Sequence, residues 1–494
     1  MDPTALASSL TDLLRSALGD PGVEAADVRR LSGGASRETW SFVAVGAGGE
    51  RRDLILQRLR PGPGGGPAME VEDRLLAAAA AAGVPVPPTV VDAATARPHV
   101  GEGRITERVA GEALGPRIVR AERSDAERRA LAAQMGRALA AVHSIDPAGV
   151  PGLTRRDPLE ATRAGLDLMG EARPAVELAL RWLAANRPEP GPARIVHGDF
   201  RVGNLLIDET GLRSVLDWEL AHLGDPLEDL GWLCARAWRF GGDHEVGGVA
   251  DLDDLLAAYA EARGAPVAAA DVRWWTAAGT LTWALICAVQ AHRHLDGHVR
   301  SVELATIGRR ICESEYDLLR LMEGDHPPTT PAPSPLSPTS PTGARSGPSD
   351  GAHASQVPDG GDPGGEDPGG PPDLHGRPTA AELVDAVRSH LADDVGPALT
   401  GAAAFQARVA GTALGIVERE LRLGPALAAA HAERLAALGF GSEAALAAAI
   451  RAGELDDRPD VVAAVRAAVV ARLRVANPGW LQGPDRGDAP GGAS

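Results

Sequence analysis

With 494 residues, the chain is longer than a single hydrophobic core usually allows, so two or three domains are expected. Acidic residues outnumber basic ones 67 to 49, a formal net charge of −18, which speaks against a general nucleic-acid or anionic-membrane binder, because such proteins carry a basic surplus. All 49 basic residues are arginine, which excludes chemistry that needs an amine: a phosphate loop ending in GK[ST], a Schiff-base lysine or a Ser–Lys dyad.

In chain order, residues 4–18 read as a helix. TWSFVAVG (39–46) and DLILQRL (53–59) read as strands joined by a glycine-rich turn at Gly46–Gly49, a hairpin signature. Residues 68–82 have helical spacing and stop at Gly83 and the VPVPP run, and a further strand pair is expected within 89–109. After Gly111 the pattern turns helical, over 124–144, 158–170, 174–186, 251–263, 271–294 and 301–322, with one strand-like island at 193–218. From His326 to Pro372 the chain is Pro, Gly, Ser, Thr and Asp with almost no apolar residues, too little to offset its ordering entropy. Helical patterns resume at 379–394, 401–421, 426–438, 443–452 and 459–474.

The expected fold class is therefore α+β and bilobal. A small β-rich N-lobe (1–111) is followed by a larger helical C-lobe (112–325), a disordered linker (326–373), an all-α C-terminal domain (374–476) and a disordered tail (477–494). Three cysteines (Cys234, Cys287, Cys312) lie far apart and form no CxxC, so neither a disulfide framework nor a structural zinc site is expected, and the cytoplasm is the natural location. The N-terminus lacks a basic n-region and reads as no signal peptide. The longest apolar stretch, 274–289, is short for a bilayer span and broken by Thr276, Thr280 and Thr282, so no membrane partner is expected.

The island RIVHGDFRVGNLLIDETGLRSVLDWE carries the chemistry. A strand leads into a loop bearing His197, Asp199 and Asn204, and a two-stranded return with a turn at Asp208–Gly211 ends in Asp217. Asn204 and Asp217 offer two hard oxygen donors for Mg²⁺. Asp199 is then left to accept a proton from, or orient, a substrate hydroxyl, the division of labour that phosphoryl transfer requires.

HGDxxxxN followed by LDWE resembles the aminoglycoside phosphotransferase and choline kinase branch of the protein-kinase-like fold. The form HGDFRxGN…DWE is most similar to the kinase domains attached to acyl-CoA dehydrogenases. The resemblance implies ATP and Mg²⁺ as cofactors and a small-molecule hydroxyl as acceptor. It also implies that Ser32, Gly33, Gly34 and Ser36 cover the nucleotide phosphates, that Glu72 pairs with a strand cation, and that the backbone of Glu107 and Val109 meets the adenine edge. Leu206, on the strand after the loop, is a further nucleotide-contact candidate.

The chain departs from the family pattern in lacking a lysine on strand 53–59. Either Arg58 is rotated in to take its place, or Gln57 stands there and phosphate affinity is weakened; side chains of neighbouring strand residues point to opposite faces. A nucleotide-binding pseudokinase with a partner-binding C-terminal domain is therefore kept as an alternative to an active phosphotransferase. His143 resembles a position beneath the catalytic loop and reads as a satisfied core histidine. Asp225 and Asp229 offer one brace for that loop, with Asp225 also placed to cap a helix. The cluster His292, Arg293, His294, His298 and Arg300 reads as a solvated helix end or as a site for an anionic substrate group. FQARVAGTALGIVERELRLG (405–424) resembles a small helical domain of unknown function encoded beside such kinases, with Arg408 and Glu420 as a candidate internal ion pair. Neither the acceptor nor the oligomeric state is legible.

Overall fold

The computed structural model describes residues 3–31, 37–59, 68–324, 378–456 and 458–486; the expected linker 326–373 lies outside them. In the N-lobe, helix α1 (Pro3–Leu18) buries Leu6, Leu10, Leu13 and Leu14, a stripe at helical spacing. Strands β1 (Glu24–Arg30), β2 (Arg37–Val45) and β3 (Arg51–Leu59) are followed by α2 (Met69–Ala81), β4 (Thr89–Val91), α3 (Ala93–Val100) and β5 (Gly103–Glu107). The five strands form one sheet in the order β1-β2-β3-β5-β4, every pair antiparallel. Trp40, Phe42, Leu54, Leu56 and Ile105 point to one face and make a core with α1 and α3.

Two N-lobe elements depart from the expectation. Strand β1 (EAADVRR) is interrupted by a register shift between Ala26 and Arg29, with Asp27 at φ 54°, which destroys the alternation that would reveal it. Helix α3 interrupts the expected strand pair, because Asp92 caps it by accepting from Thr95 N–H at 2.8 Å.

The C-lobe contains α4 (Gly115–Arg120), α5 (Asp125–Ser144), α6 (Pro158–Met169) and α7 (Pro174–Ala185). Short strands β6 (Arg194–Val196), β7 (Leu205–Asp208), β8 (Gly211–Val215) and β9 (His222–Gly224) pair as β6–β9 and β7–β8. Helices α8 (Leu227–Cys234), α9 (Leu252–Arg263), α10 (Ala269–Leu295), α11 (Val302–Gly308) and α12 (Ile311–Met322) complete it. Val215 N–H donates to Pro85 O at 2.7 Å between the lobes, and mutual backbone bonds between Glu112 and Ile207 (2.8 and 3.0 Å) tie the chain just after the connector to β7. In α10, Thr276, Thr280 and Thr282 donate their hydroxyls to carbonyls four residues back at 2.8–3.0 Å, which lets them sit in a buried helix. Among the described residues no helix is long and apolar enough to cross a membrane.

The C-terminal part comprises α13 (Ala380–His390), a wide turn at Leu391–Val395, the single turn α14 (Gly396–Ala398), α15 (Gly401–Ala437), α16 (Glu443–Ala452) and α17 (Pro459–Ala476). The two helices expected over 401–421 and 426–438 are one 37-residue helix running through Pro425. A proline inside a helix costs about 3 kcal/mol; here Ala-rich flanks and packing against α11, α13 and α17 hold both halves in line.

These helices share a core with the C-lobe. Leu435, Leu446, Ile450, Val461, Val465 and Leu473 pack with Ala175 of α7 and Cys312, Tyr316 and Leu319 of α12. Residues 477–482, expected as disordered tail, are ordered: Asn477 bonds Glu313 at 2.9 Å, and Trp480 and Leu481 are buried. Glu420 pairs with Arg309 of the C-lobe. Twelve residues of helix separate it from Arg408, a rise of roughly 18 Å, so the expected internal pair does not form.

Candidate active site

Strand β6 delivers the chain to a loop whose conformation glycine alone permits. Gly198 has φ 77°, and a Cβ there would lie 2.4 Å from Leu220 O. The loop is braced from α8. Asp229 accepts Gly198 N–H at 2.8 Å on one oxygen, and on the other accepts His197 N–H at 2.7 Å and approaches His143 Nε2 at 3.1 Å. Burial works to raise the Asp229 carboxyl, but its bond to His143 and the neighbouring imidazoles hold it below the usual carboxylate range. His143 reaches Tyr259 with its other nitrogen at 2.8 Å, so it is fully partnered in the core beneath the loop. Asp225 accepts Leu227 N–H at 2.9 Å, a turn at the entrance of α8.

His197 is fully buried, and burial holds it below the usual imidazole range despite Asp229 and Asp199 nearby. Its Nε2–H donates to Leu216 O at 3.0 Å and its Nδ1 accepts Asp199 N–H at 3.2 Å, the pattern of a neutral ring. It therefore ties the loop to the strand end that carries Asp217. Leu216 N–H donates to Asn204 O at 2.8 Å, which brings Asn204 within one residue of Asp217.

Asp199 is held on both oxygens. Oδ1 accepts from Trp232 Nε1 at 2.8 Å and Arg201 Nε at 3.0 Å, and Oδ2 from Asn204 Nδ2 at 2.6 Å. The same Asn204 nitrogen also donates to Asp199 O at 3.0 Å, so nitrogen is the amide atom engaged by the loop. Asp217 has φ 63°, a conformation that aspartate tolerates better than most residues. Burial, then the charges of Glu219 and Asp199, push its carboxyl up to about 7, although Arg37 and Arg201 oppose the shift.

Among the described residues no group of three His, Cys, Asp or Glu could cage a metal ion. One amide oxygen and one carboxylate short of positive charge nevertheless fit Mg²⁺, which is usually held by one or two carboxylates with substrate phosphates and water completing the shell.

The N-lobe cation comes from unexpected strands. Glu72 of α2 accepts both arms of Arg37 from β2, one at 2.8 Å, and is also bonded by Arg104 of β5. Arg104 additionally reaches Asp73 at 3.1 Å. Sheet register explains the arrangement. Thr39, Gln57 and Arg104 are paired in line across β2, β3 and β5, so Gln57 shares the face of Arg104, whereas Arg58 shares the opposite face with Leu54 and Leu56. Arg58 donates to Glu38 at 2.7 Å. The expected pairing of Glu72 with a cation of strand 53–59 is thus replaced by pairs with the flanking strands. Arg37 also approaches Glu219 at 3.3 Å. Burial would lower its pKa, but Glu72, Glu219 and Asp217 raise it, so it stays charged.

The segment between the lobes offers a backbone edge. Glu107 N–H donates to Pro88 O at 2.9 Å and Arg108 N–H to Asp53 O at 2.9 Å. Proline has no N–H, so Pro88 cannot return a bond to the Glu107 carbonyl. The Glu107 side chain turns to Arg52 at 2.9 Å. Leu206 lies beneath this connector. A Cβ on Gly111, at φ 148°, would sit 3.1 Å from Leu206 Cβ. Ser32, Gly33, Gly34 and Ser36 lie outside the described residues. The basic cluster at the end of α10 is locally engaged: His292 meets Ala288 O at 3.0 Å and His294 accepts Ser301 N–H at 3.0 Å.

Sequence reasoning missed Arg37, Arg104, Arg201, Glu219 and Trp232. Arg201 and Glu219 stand inside the two motifs, and their charge beside Asp199 and Asp217 was the available signal. The others are brought in by sheet register or helix packing and leave no local pattern.

Residues 27–275 match the family model described as phosphotransferase enzyme family, and residues 397–480 match a domain of unknown function, DUF6285. Acyl-CoA dehydrogenase family member 10 of Mus musculus is 31% identical over 193 residues, 34% of this chain and 16% of that protein. Acyl-CoA dehydrogenase family member 11 of Mus musculus is 29% identical over 161 residues, 28% of this chain and 21% of that protein. The chain thus spans about a fifth or less of these relatives' length. A solved structure of a candidate aminoglycoside phosphotransferase from Ralstonia eutropha is 26% identical, covers 65% of this chain and 99% of its own, and superposes with a TM-score of 0.52. With half of its length, including the whole Asp199–Asp217 loop and its Asp229 brace, inside the matched region, the chain belongs to the phosphotransferase enzyme family.

Proposed function

We propose that this chain is an ATP- and Mg²⁺-dependent small-molecule O-phosphotransferase, moving the γ-phosphoryl group of ATP to an acceptor hydroxyl. The observation that carries the proposal is the bonding of Asp199. Among the described residues, its Oδ1 is taken by Trp232 and Arg201 and its Oδ2 by the Asn204 amide alone. Oδ2 therefore keeps the capacity to receive the acceptor's hydroxyl proton, and Asp199 orients that hydroxyl toward the phosphorus.

Asn204 Oδ1 and Asp217 would hold Mg²⁺, which when bound neutralises the charge developing on the phosphate oxygens. Arg37, charged and directed by its ion pairs toward Glu219 and Glu72, supplies positive potential where kinases of this fold use a strand lysine. The Glu107 carbonyl and Val109 N–H take the adenine edge, with Leu206 beneath the ring. The acceptor is a hydroxylated metabolite, of which a hydroxyacyl thioester or an aminoglycoside-like polyol are the leading classes. Relatives named for acyl-CoA dehydrogenases favour the thioester. Three buried free thiols suit the cytoplasm.

The test is a mass-spectrometric screen of hydroxylated acyl thioesters, aminoglycosides and other polyols for gain of a phosphate from Mg·ATP. Asp199→Asn is expected to abolish transfer while the thermal shift given by ATP persists. Wild-type turnover in that variant contradicts the assignment. Stabilisation by ATP without transfer or hydrolysis across the panel favours the nucleotide-sensing pseudokinase, the reading that Gln57 on the Arg104 face supports.

A further inference from the structure

We infer that the C-terminal helical unit positions the acceptor side of the catalytic site, acting through Trp480. Residues 478–482 do not trail away from α17. They enter a slot bounded by Arg236 and Arg239 after α8, by Thr276 and Thr280 of α10, and by Asp317 of α12. Gln482 secures the segment: its N–H donates to Tyr316 OH at 3.1 Å, that hydroxyl lies 3.2 Å from its carbonyl, and its side chain bonds Arg320.

Inside the slot three side chains close a triangle. The Arg236 guanidinium lies over the Trp480 ring, 4.1 Å from its centre, and donates to Trp480 O at 3.0 Å. Arg236 also donates to Asp317 at 2.9 Å, and the Trp480 indole N–H donates to the same carboxylate oxygen at 3.1 Å. A guanidinium fixed by a stacked ring, a carbonyl and a carboxylate has little freedom left.

Arg236 opens the short turn Arg236–Trp238. Two residues on, Trp238 packs 5.1 Å from Trp232 and 4.6 Å from Trp283, and Arg201 lies over its ring at 4.7 Å. Trp232 and Arg201 are the two donors that hold Asp199 Oδ1. Both therefore lean on Trp238, and Trp238 sits on a turn whose first residue is clamped by the C-terminal unit. Misplacement of a catalytic group by about 1 Å can cost on the order of 100-fold in rate, so a support at this position controls turnover without touching substrate. Trp480 is thus a positioning residue, and the unit carrying it is an integral buttress of the site.

The test uses the full chain and two readouts, of which only the kinetic one rests on the phosphotransfer reading. Trp480→Ala is expected to lower the kcat for Mg·ATP hydrolysis, with water as acceptor, about tenfold. It should leave the KM for ATP within about twofold, because the nucleotide edge lies on the other lobe. Trp480→Phe, which keeps a ring under Arg236, should recover most of the rate. Backbone amides of residues 232–250 should exchange with deuterium faster in Trp480→Ala, and those of β2 and β3 should not. Wild-type hydrolysis together with wild-type exchange in 232–250 overturns the proposal. If the wild-type chain neither hydrolyses ATP nor transfers phosphate in the acceptor screen, the phosphotransfer reading fails; without hydrolysis the exchange data alone decide the coupling, faster exchange supporting it and unchanged exchange refuting it. Should Trp480→Ala fail to fold, Trp480→Leu carries the same comparison with the apolar volume retained.

Discussion

Arg37 and Glu72 form a two-armed ion pair between β2 and α2, with only 7% and 1% of their side chains exposed. Arg104 reaches the same carboxylate from β5, at 2% exposure. One acidic group thus fastens α2 to two strands of the sheet and fixes Arg37 beside Glu219 and Asp217. Removing one partner of such a buried pair costs about 3–5 kcal/mol, because the remaining charge is stranded. Glu72→Gln is expected to lose stability of that order in urea unfolding.

The same register predicts a contrast between two arginines. Arg58→Ala removes a side chain from the α1 face, where it pairs with Glu38, and should leave the KM for ATP within about twofold. Arg37→Ala removes a cation held beside Glu219 and Asp217, at the proposed phosphate site, and should raise that KM roughly 10- to 100-fold, the range for a lost hydrogen bond to a charged group. Steady-state kinetics on the two variants decides between them.

Asp229 satisfies two loop N–H groups and His143 from a fully buried position. Asp229→Ala leaves the two N–H groups and His143 Nε2 unpaired, which should cost about 3 kcal/mol or more. The surviving folded fraction should bind ATP normally yet turn over slowly. Thermal melts with and without nucleotide, paired with turnover, check both halves.

His197 gives a pH dependence of definite sign. Burial depresses its pKa in the folded chain, so the unfolded chain takes up its proton first as the pH falls through 6.5, its ordinary value. The stability it contributes is present above that value and lost below it. Denaturant unfolding from pH 7.5 to 5 should show wild type losing stability more steeply than His197→Gln; parallel curves count against the assignment.

Asp217→Asn removes the proposed carboxylate ligand, whose pKa burial pushes up to about 7. The nucleotide thermal shift in this variant should no longer grow on titration with Mg²⁺, whereas in wild type it should. A variant that keeps the wild-type Mg²⁺ response would assign the cation to other residues.

Gly111→Ala forces a side chain into φ 148° against Leu206 Cβ at 3.1 Å and Ile207 N at 3.3 Å. Strain of about 1–3 kcal/mol is expected at such a position. If the connector binds adenine, the KM for ATP rises with it.

The Asp199–Asn204–Asp217 loop was legible because its residues are close in sequence and flanked by hydrophobic strands that must pair. Its electrostatic surroundings were not. Arg37 and Arg104 lie 35 and 32 residues from Glu72, and only the register of β2, β3 and β5 places them on one face. Strand β1 was hidden by the bulge around Asp27, and the continuity of α15 by Pro425, where tertiary packing overrides a strong local signal. Trp480 looked like part of a tail because a short Pro/Gly-containing segment carries no periodicity; it is ordered wholly by what surrounds it.

The sharing of one apolar interior by Ala175, Cys312, Tyr316, Leu435, Val465 and Leu473 also governs how the molecule comes apart. Neither half can melt without exposing the interior of the other, so calorimetry should record a single endotherm whose van't Hoff and measured enthalpies agree, although the two segments match different family models. Wear on either segment is then felt by the entire protein.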